Sequence, residues 1–267
     1  MVDYVLARPR RTIDFNYMQI HEYYDAYATP TPKYMILCFP DAGLVSSIAC
    51  RHLVIEKKLS LVGEVDSHVY LPPISVIHES SPISPVQMYM PEDRSFLLLL
   101  SEIPLQPASI HPFINSIHSY ASDVGIEYML AVTGLAVPNR LEIEKPQVFA
   151  VSSKNELYSL VKDAGVEELK EGFVVGPYGV LLKEGRRRGI PTMVLMVESF
   201  LDIPDPEAAA LGIDVLGKLI GIQVDIHRLL EEAELIKLRT RDLMVQTKKA
   251  MIDMQKQMER QMPLMYM

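Results

Sequence analysis

Two carboxylates follow apolar runs of the kind that form buried strands. Glu102 comes after "FLLLL" at residues 96–100, and Glu198 comes after "VLMV" at residues 194–197. α/β enzymes hold their catalytic groups at such strand ends, so the pair could act as general acid and base. A hydrogen bond that caps a neighbouring loop or helix is the simpler role, and we favour it for both side chains.

The segment "FPDAGLVSS" at residues 39–47 lies between a predicted strand and a predicted helix. A helix N-terminus at this place in an α/β protein can bind an anion. However, the segment matches neither G-x-G-x-x-G nor a Walker loop, because it has one glycine and no Lys-Ser/Thr pair. Asp41 would also repel an anion there. We therefore predict a tight turn that caps the helix rather than a phosphate site.

The histidines do not suggest a metal site. No two of the seven lie four residues apart with a glutamate between them, as in the helical zinc motif. No G-x-S-x-G sequence indicates a serine nucleophile. We therefore predict no catalytic residue, no metal and no cofactor.

The basic cluster "GRRRG" at residues 185–189 ends a predicted helix. Cations at a helix C-terminus interact favourably with the helix dipole. Local stabilisation of the helix is the favoured role, and a contact between subunits is the alternative.

The C-terminal residues Met265, Tyr266 and Met267 follow Pro263 and make a hydrophobic end that contains an aromatic ring. Such an end needs either a place to pack or a partner. Residues 226–262 contain neither Gly nor Pro, which predicts a helix of roughly 55 Å ending at Pro263. Apolar and small residues recur in this helix with steps of four and three, as in a coiled coil or a helix laid along a neighbour. Whether the helix protrudes or packs on another subunit stays open.

Composition excludes several classes of protein. The chain has 267 residues, 49% of them hydrophobic, so it can bury a large core. The net charge of -8 argues against general affinity for nucleic acid or anionic lipid. The charge is uneven, because residues 236–262 carry seven basic and three acidic side chains. No run is apolar and long enough to be a membrane span or an export signal, so we expect a cytoplasmic protein.

The two cysteines, Cys38 and Cys50, lie in a predicted buried strand and the helix that follows it. Their spacing matches no metal-binding or disulfide framework. We expect both thiols to be reduced, as is usual inside cells.

Buried strands alternate with amphipathic helices from residue 34 to residue 225, which is typical of an α/β sheet. We predict a mixed, mostly parallel sheet flanked by helices, with a long C-terminal helix. The predicted organisation is an N-terminal arm (1–33), the α/β domain (34–225), the extended helix (226–262) and a terminal tail (263–267). The folded core is expected to start after the arm.

Several stretches occur in an order that resembles the archaeal branch of the proteasome assembly chaperone family. They are "FPDAGLVSSIACRHLV", "LVGEVDS" with "LPPISVIHE", "LLLLSEIPLQP", "VTGLAVP", "VVGPYGVLLKEGRRRGIP" and "PDPEAAALGIDVLGKLIGIQVDIHRLLEEAE". Together they cover roughly residues 34–235. One departure is the first turn, where the family usually has "PGAG" followed by "VG" and this chain has Pro40-Asp41-Ala42-Gly43 and Val45-Ser46.

The resemblance implies a body similar to the nucleoside phosphorylase fold without its active site, and assembly into small homo-oligomers. It also implies a tail that docks on the α-ring of the proteasome core particle. Members of this kind can end in a hydrophobic residue, a tyrosine and any residue, and Met265, Tyr266 and Met267 match these positions.

Three hypotheses follow. The first is a non-enzymatic, homo-oligomeric factor that binds the proteasome through its last three residues, as assembly chaperone or as ATP-independent activator. The second is an enzyme of the nucleoside phosphorylase type that uses Glu102 and Glu198. The third is a coiled-coil adaptor for an unrelated partner.

Overall fold

The computed structural model describes residues 8–24, 29–78 and 80–236. In these residues, helices cover both faces of a ten-stranded sheet. The strands are β1 (Arg11–Phe15), β2 (Met18–Glu22), β3 (Tyr34–Cys38), β4 (Ser60–Asp66), β5 (Val76–His78), β6 (Ser81–Ile83), β7 (Val86–Met90), β8 (Phe96–Ser101), β9 (Tyr128–Ala136), β10 (Val148–Ser152), β11 (Glu167–Glu168) and β12 (Thr192–Ser199). The helices are α1 (Val45–Glu56), α2 (Pro107–Val124), α3 (Tyr158–Val161), α4 (Gly176–Arg188), α5 (Pro206–Ile220) and α6 (227–236).

The sheet has the strand order β1-β2-β4-β7-β8-β3-β9-β12-β10-β11, while β5 and β6 form a separate hairpin. The four central strands β8, β3, β9 and β12 are parallel. Among the described residues, five of the nine neighbouring pairs are antiparallel. The prediction of a mixed sheet is confirmed, but "mostly parallel" is wrong. The reason is that β1 to β2 and β7 to β8 are joined by short turns, which permit only antiparallel pairing.

The apolar runs form the central strands, where helices cover both faces of the sheet and side chains on both sides of each strand are buried. On one face, side chains such as Ile36, Leu98 and Leu195 pack under α1 and α5. On the other face, residues such as Met35, Leu97 and Val194 pack under α2 and α4. The sheet therefore separates two hydrophobic layers.

The N-terminal segment belongs to this sheet, so the expectation that the folded core starts after residue 33 is wrong. Strand β2 pairs with β4, and its residues Met18 and Ile20 are fully buried. The buried carboxylate of Glu22 accepts a hydrogen bond of 2.7 Å from the Tyr120 hydroxyl on α2. Burial alternates along "MQIHE", with Met18, Ile20 and Glu22 buried, as in a strand that packs one face on the core.

Helix starts follow the expected chemistry at α5. The Asp205 side chain accepts a hydrogen bond from the Ala208 amide at 3.0 Å, and Pro206 occupies the first turn. By contrast, residues 155–164 form no continuous helix, because the four-residue α3 lies between two 3-10 turns. No helix in the described ranges is long and apolar enough to span a membrane.

The cysteines differ from the expectation, because Cys38 and Cys50 form a disulfide. Helix α1 folds back over the end of β3, which brings the two Cα atoms to 6.5 Å although Cys50 lies twelve positions after Cys38. Both side chains are fully buried. The predicted reduced thiols are therefore wrong for this structure.

Candidate functional site

The turn between β3 and α1 is closed by its own aspartate. Asp41 accepts hydrogen bonds from the Ser46 amide at 3.1 Å and, across the sheet edge, from the Gly134 amide at 2.7 Å. Gly43 and Leu44 adopt left-handed backbone conformations, with φ of 63° and 50°. The carboxylate thus occupies the amides that an anionic ligand would need. The predicted capping turn is confirmed.

Neighbouring groups lock this turn further. The Tyr178 hydroxyl of α4 accepts a hydrogen bond from the Phe39 amide at 3.0 Å and lies 2.9 Å from the Ser46 hydroxyl. At Gly134, an added Cβ would lie only 2.1 Å from the Ala42 carbonyl oxygen. The turn therefore has no room for a ligand between β3 and β9.

Burial also changes the electrostatics of this turn. It raises the pKa of Asp41 to about 6, against the opposing hydrogen bonds from the Gly134 amide, the Thr133 side chain and the Ser46 amide. Burial and the nearby Asp41 charge also raise the pKa of Tyr178. Because the Tyr178 phenol stays protonated, it remains an uncharged hydrogen-bond donor and acceptor beside the turn.

The two strand-end carboxylates are not brought together. Glu102 forms an ion pair with Arg51 on α1, and Glu198 accepts a hydrogen bond from the Gln147 amide at 2.9 Å. Strands β8 and β12 are three strand spacings apart, roughly 14 Å. Each carboxylate thus fixes a neighbouring element, as favoured from the sequence. The two lie too far apart to act together on one bond of a substrate.

A buried ion cluster that sequence reasoning missed lies beside α5. The Arg140 guanidinium is only 1% exposed and contacts Asp205 at 2.8 Å and Glu207 at 2.6 Å. Arg140 also lies over the Phe200 ring, at 5.3 Å from its centroid. Burial lowers the pKa of Arg140, but the two carboxylates outweigh it and raise the pKa overall. Arg140 follows β9 at the start of a 3-10 turn, and no pattern in the neighbouring sequence indicates its ion pairs.

The histidines remain isolated. His118 on α2 is fully buried, and its burial lowers its pKa to about 4, so the ring is neutral at physiological pH. The ring lies 3.3 Å from the Leu181 carbonyl oxygen of α4. In the residues that the structure describes, no three His, Cys, Asp or Glu side chains cluster to hold a metal ion.

The "GRRRG" cluster ends α4. Arg187 and Arg188 pair with Glu184 at 2.7 and 3.3 Å, and Arg188 reaches Asn115 of α2 at 3.2 Å. These contacts agree with local stabilisation of the helix end. Arg186 is exposed, so the cluster also presents charge to solvent.

Helix α6 packs on α1 at the beginning of the predicted long helix. Leu229 and Ala233, the first two residues of the predicted pattern with steps of four and three, are buried. Just before the helix, the His52 ring contacts the Asp225 carbonyl oxygen. Between α1 and α6 runs a groove of about 560 Å³, lined in part by Leu44, Ile55 and Arg228. The apolar side of the predicted long helix therefore begins against the chain's own body.

The predicted docking residues Met265, Tyr266 and Met267 lie outside the described residues, as does the helix beyond residue 236. The boundary predicted at 262/263 lies there too, and the boundaries predicted at 225/226 and 262/263 both stay predictions.

Comparison with known proteins gives the family. The PAC2 family profile matches residues 35–244. This chain belongs to the PAC2 family. It is 30% identical to the uncharacterized protein MJ0106 of Methanocaldococcus jannaschii over 219 residues, covering 81% of this chain and 87% of that one.

Solved PAC2-type structures have the same fold. Pyrococcus furiosus PbaA, described as an archaeal homolog of proteasome-assembly chaperone, superposes with a TM-score of 0.74 and 30% identity, over 91% of this chain and 99% of PbaA. Pyrococcus furiosus PbaB, described as an archaeal proteasome activator, gives a TM-score of 0.73 at 23% identity, over 85% and 98% of the two chains. The resemblance found in the sequence is confirmed, while the nucleoside phosphorylase comparison stays a prediction.

Proposed function

We propose that this PAC2 protein is a non-enzymatic, cytoplasmic factor that binds the α-ring of the proteasome core particle. The observation that carries the proposal is its 30% identity, over almost the whole chain, to PbaA, an archaeal homolog of proteasome-assembly chaperone. The closed turn at Asp41 and the separate partners of Glu102 and Glu198 favour this function over nucleoside phosphorolysis.

The contact is assigned to Met265, Tyr266 and Met267. The tyrosine ring would fill a pocket between α-subunits while its hydroxyl keeps a hydrogen bond, and the terminal carboxylate would pair with a lysine. One such tail binds weakly. Several tails on one homo-oligomer bind together, because the first contact raises the effective concentration of the others.

Helix α6 gives the proposed tail its starting point. Its first turns are held on the body by the buried side chains of Leu229 and Ala233, which fixes the position from which the tail would extend. The predicted continuation to residue 262 would set the reach of the tail, and Pro263 would end the helix so that the last residues can extend.

The test uses purified full-length protein and core particles. Deletion of residues 265–267 is expected to abolish co-sedimentation with core particles and to leave the oligomeric state unchanged. Tyr266→Ala should lose most of the binding, whereas Tyr266→Phe keeps the ring and should lose only a few-fold. A truncated chain that binds as well as the intact one would refute the tail-docking proposal.

Peptide hydrolysis by the same mixtures distinguishes the two roles. Stimulation that disappears in Tyr266→Ala indicates an activator, and binding without stimulation indicates an assembly chaperone. Recovery of another complex without proteasome subunits in a pull-down would support the adaptor hypothesis instead.

A further inference from the structure

The outer side of α4 is an exposed surface that the described part of the chain leaves uncovered. Phe173 and Val175, which precede the helix, are 95% and 79% exposed. A groove of about 370 Å³ runs beside them and is lined by Val174, Gly176, Gly179, Val180, Leu182 and Lys183. Exposed aromatic and aliphatic side chains around a groove are typical of protein contact sites.

The far end of this surface is basic. Helix α4 carries four basic residues and one acidic residue, Glu184. Lys183 and Arg186 are exposed, and neither forms an ion pair within the described residues. In a chain of net charge -8, this is a concentrated positive patch. We call Phe173, Val175, Lys183 and Arg186 the α4 surface.

Helix α6 presents the opposite charge. Its outer side carries Glu231 and Glu234, both exposed and without an ion pair in the described ranges, together with Leu230 and Leu235. These side chains lie away from Leu229 and Ala233, which face the body. The helix thus offers acidic groups beside apolar ones, as the α4 surface offers basic groups beside apolar ones.

The two surfaces of one chain cannot meet. Leu229 of α6 belongs to the hydrophobic layer under α1 and α5, whereas Tyr178 and Leu181 of α4 belong to the layer on the other side of the sheet. The sheet therefore stands between them. Complementary surfaces on opposite faces of one molecule can join only between molecules, in a head-to-tail contact that forms a ring if it closes.

We propose that the α4 surface binds the acidic outer side of α6 from a second copy of this chain. Lys183 and Arg186 pair with Glu231 and Glu234 of the neighbour, while Phe173 and Val175 cover Leu230 and Leu235. The inference deepens the homo-oligomeric part of the proposed function, on which it rests, and names the surfaces that join the copies.

The test measures the mass of the full-length chain by sedimentation velocity. Lys183→Glu with Arg186→Glu places like charges across the contact and is expected to weaken association at least about a hundredfold, giving monomers. Glu231→Lys with Glu234→Lys should do the same. Combining all four substitutions reverses both sides and should restore the wild-type mass.

A matched control is Lys145→Glu with Lys162→Glu, which makes the same change of charge at exposed positions elsewhere. It should leave the oligomer intact. Because all substituted side chains are exposed, the variants should keep the far-UV circular dichroism spectrum of the wild type. A monomeric wild type, unchanged mass in the charge-reversed variants, or failure of the fourfold variant to reassociate would overturn the proposal.

Failure here is distinguishable from failure of the proposed function. The charge variants keep residues 265–267, so monomers made this way should still bind core particles, more weakly because single tails lose the gain from multiple contacts. If the variants keep their mass and the tail deletion still abolishes core-particle binding, only the interface assignment is wrong.

Discussion

Two aspartates at the same edge of the sheet begin the two helices that pack together, α1 and α5, in different electrostatic surroundings. Asp41 follows β3 and accepts hydrogen bonds from the Ser46 and Gly134 amides. Asp205 precedes α5 and is paired with the Arg140 guanidinium at 2.8 Å. The turns are joined directly, since the Asp205 amide donates to the Gly43 carbonyl oxygen at 2.8 Å.

The difference lies in the cation. Asp41 receives only neutral donors, and burial raises its pKa to about 6. Asp205 shares a full positive charge with Glu207. Both arrangements place the chain's own carboxylate at a helix N-terminus, where enzymes of this architecture bind substrate. The chain's own side chains therefore hold this edge of the sheet rigid, which agrees with the proposed non-enzymatic function.

The largest effect is expected from removal of the cation. Arg140→Met leaves Asp205 and Glu207 without their partner in a buried site, which should lower the free energy of unfolding by about 3–5 kcal/mol. The control Arg187→Met removes an exposed guanidinium paired with Glu184 and should cost at most about 1 kcal/mol. Urea unfolding of both variants measures the difference. Equal losses would show that Asp205 does not depend on Arg140.

Asp41, the aspartate without a cation, is expected to make the free energy of unfolding depend on pH. Its pKa is 3.8 in the unfolded reference and about 6 in the folded protein. Between these values the folded state holds more protons, so this group makes the free energy of unfolding fall as pH rises from about 4 to about 6, by about 3 kcal/mol. Above about pH 7 its contribution is constant.

The measurement compares urea unfolding of the wild type and Asp41→Asn at several pH values. The difference between the two curves should change across pH 4–6 and be flat from 7 to 8. Asp205→Asn serves as comparison and should lose stability across the whole range because it weakens the pair with Arg140. A parallel pair of curves for Asp41→Asn and the wild type would contradict the raised pKa.

These two aspartates also show what sequence could and could not predict. The sequence around Asp205 predicts an N-cap, because the signal is local: an aspartate, then Pro206, then Glu207. Its partner Arg140 lies 65 residues earlier, in a loop with no periodicity, so no local pattern joins them. Asp41 was placed in the capping turn, but its bond to Gly134 depends on the pairing of β3 with β9.

The same limit explains the errors in the fold. Buried strands such as β8 and β12 were predicted because apolar runs are local, whereas their neighbours depend on the lengths and routes of connections. The disulfide between Cys38 and Cys50 requires α1 to fold back on β3, which spacing alone does not reveal. Likewise the charge match between α4 and α6 becomes visible only when the sheet is seen to separate them.

The smallest effect tests how the Asp41 turn is held from outside. Tyr178→Phe removes the hydroxyl that accepts from the Phe39 amide but keeps the ring against Phe39. One buried amide then loses its partner, so the free energy of unfolding should fall by about 1–2 kcal/mol. Tyr128→Phe, whose half-buried ring stacks on Tyr34, is the matched control and should change stability by less than about 0.5 kcal/mol. If both variants behave alike, the turn is held by Asp41 and the backbone alone, and Tyr178 contributes only its ring.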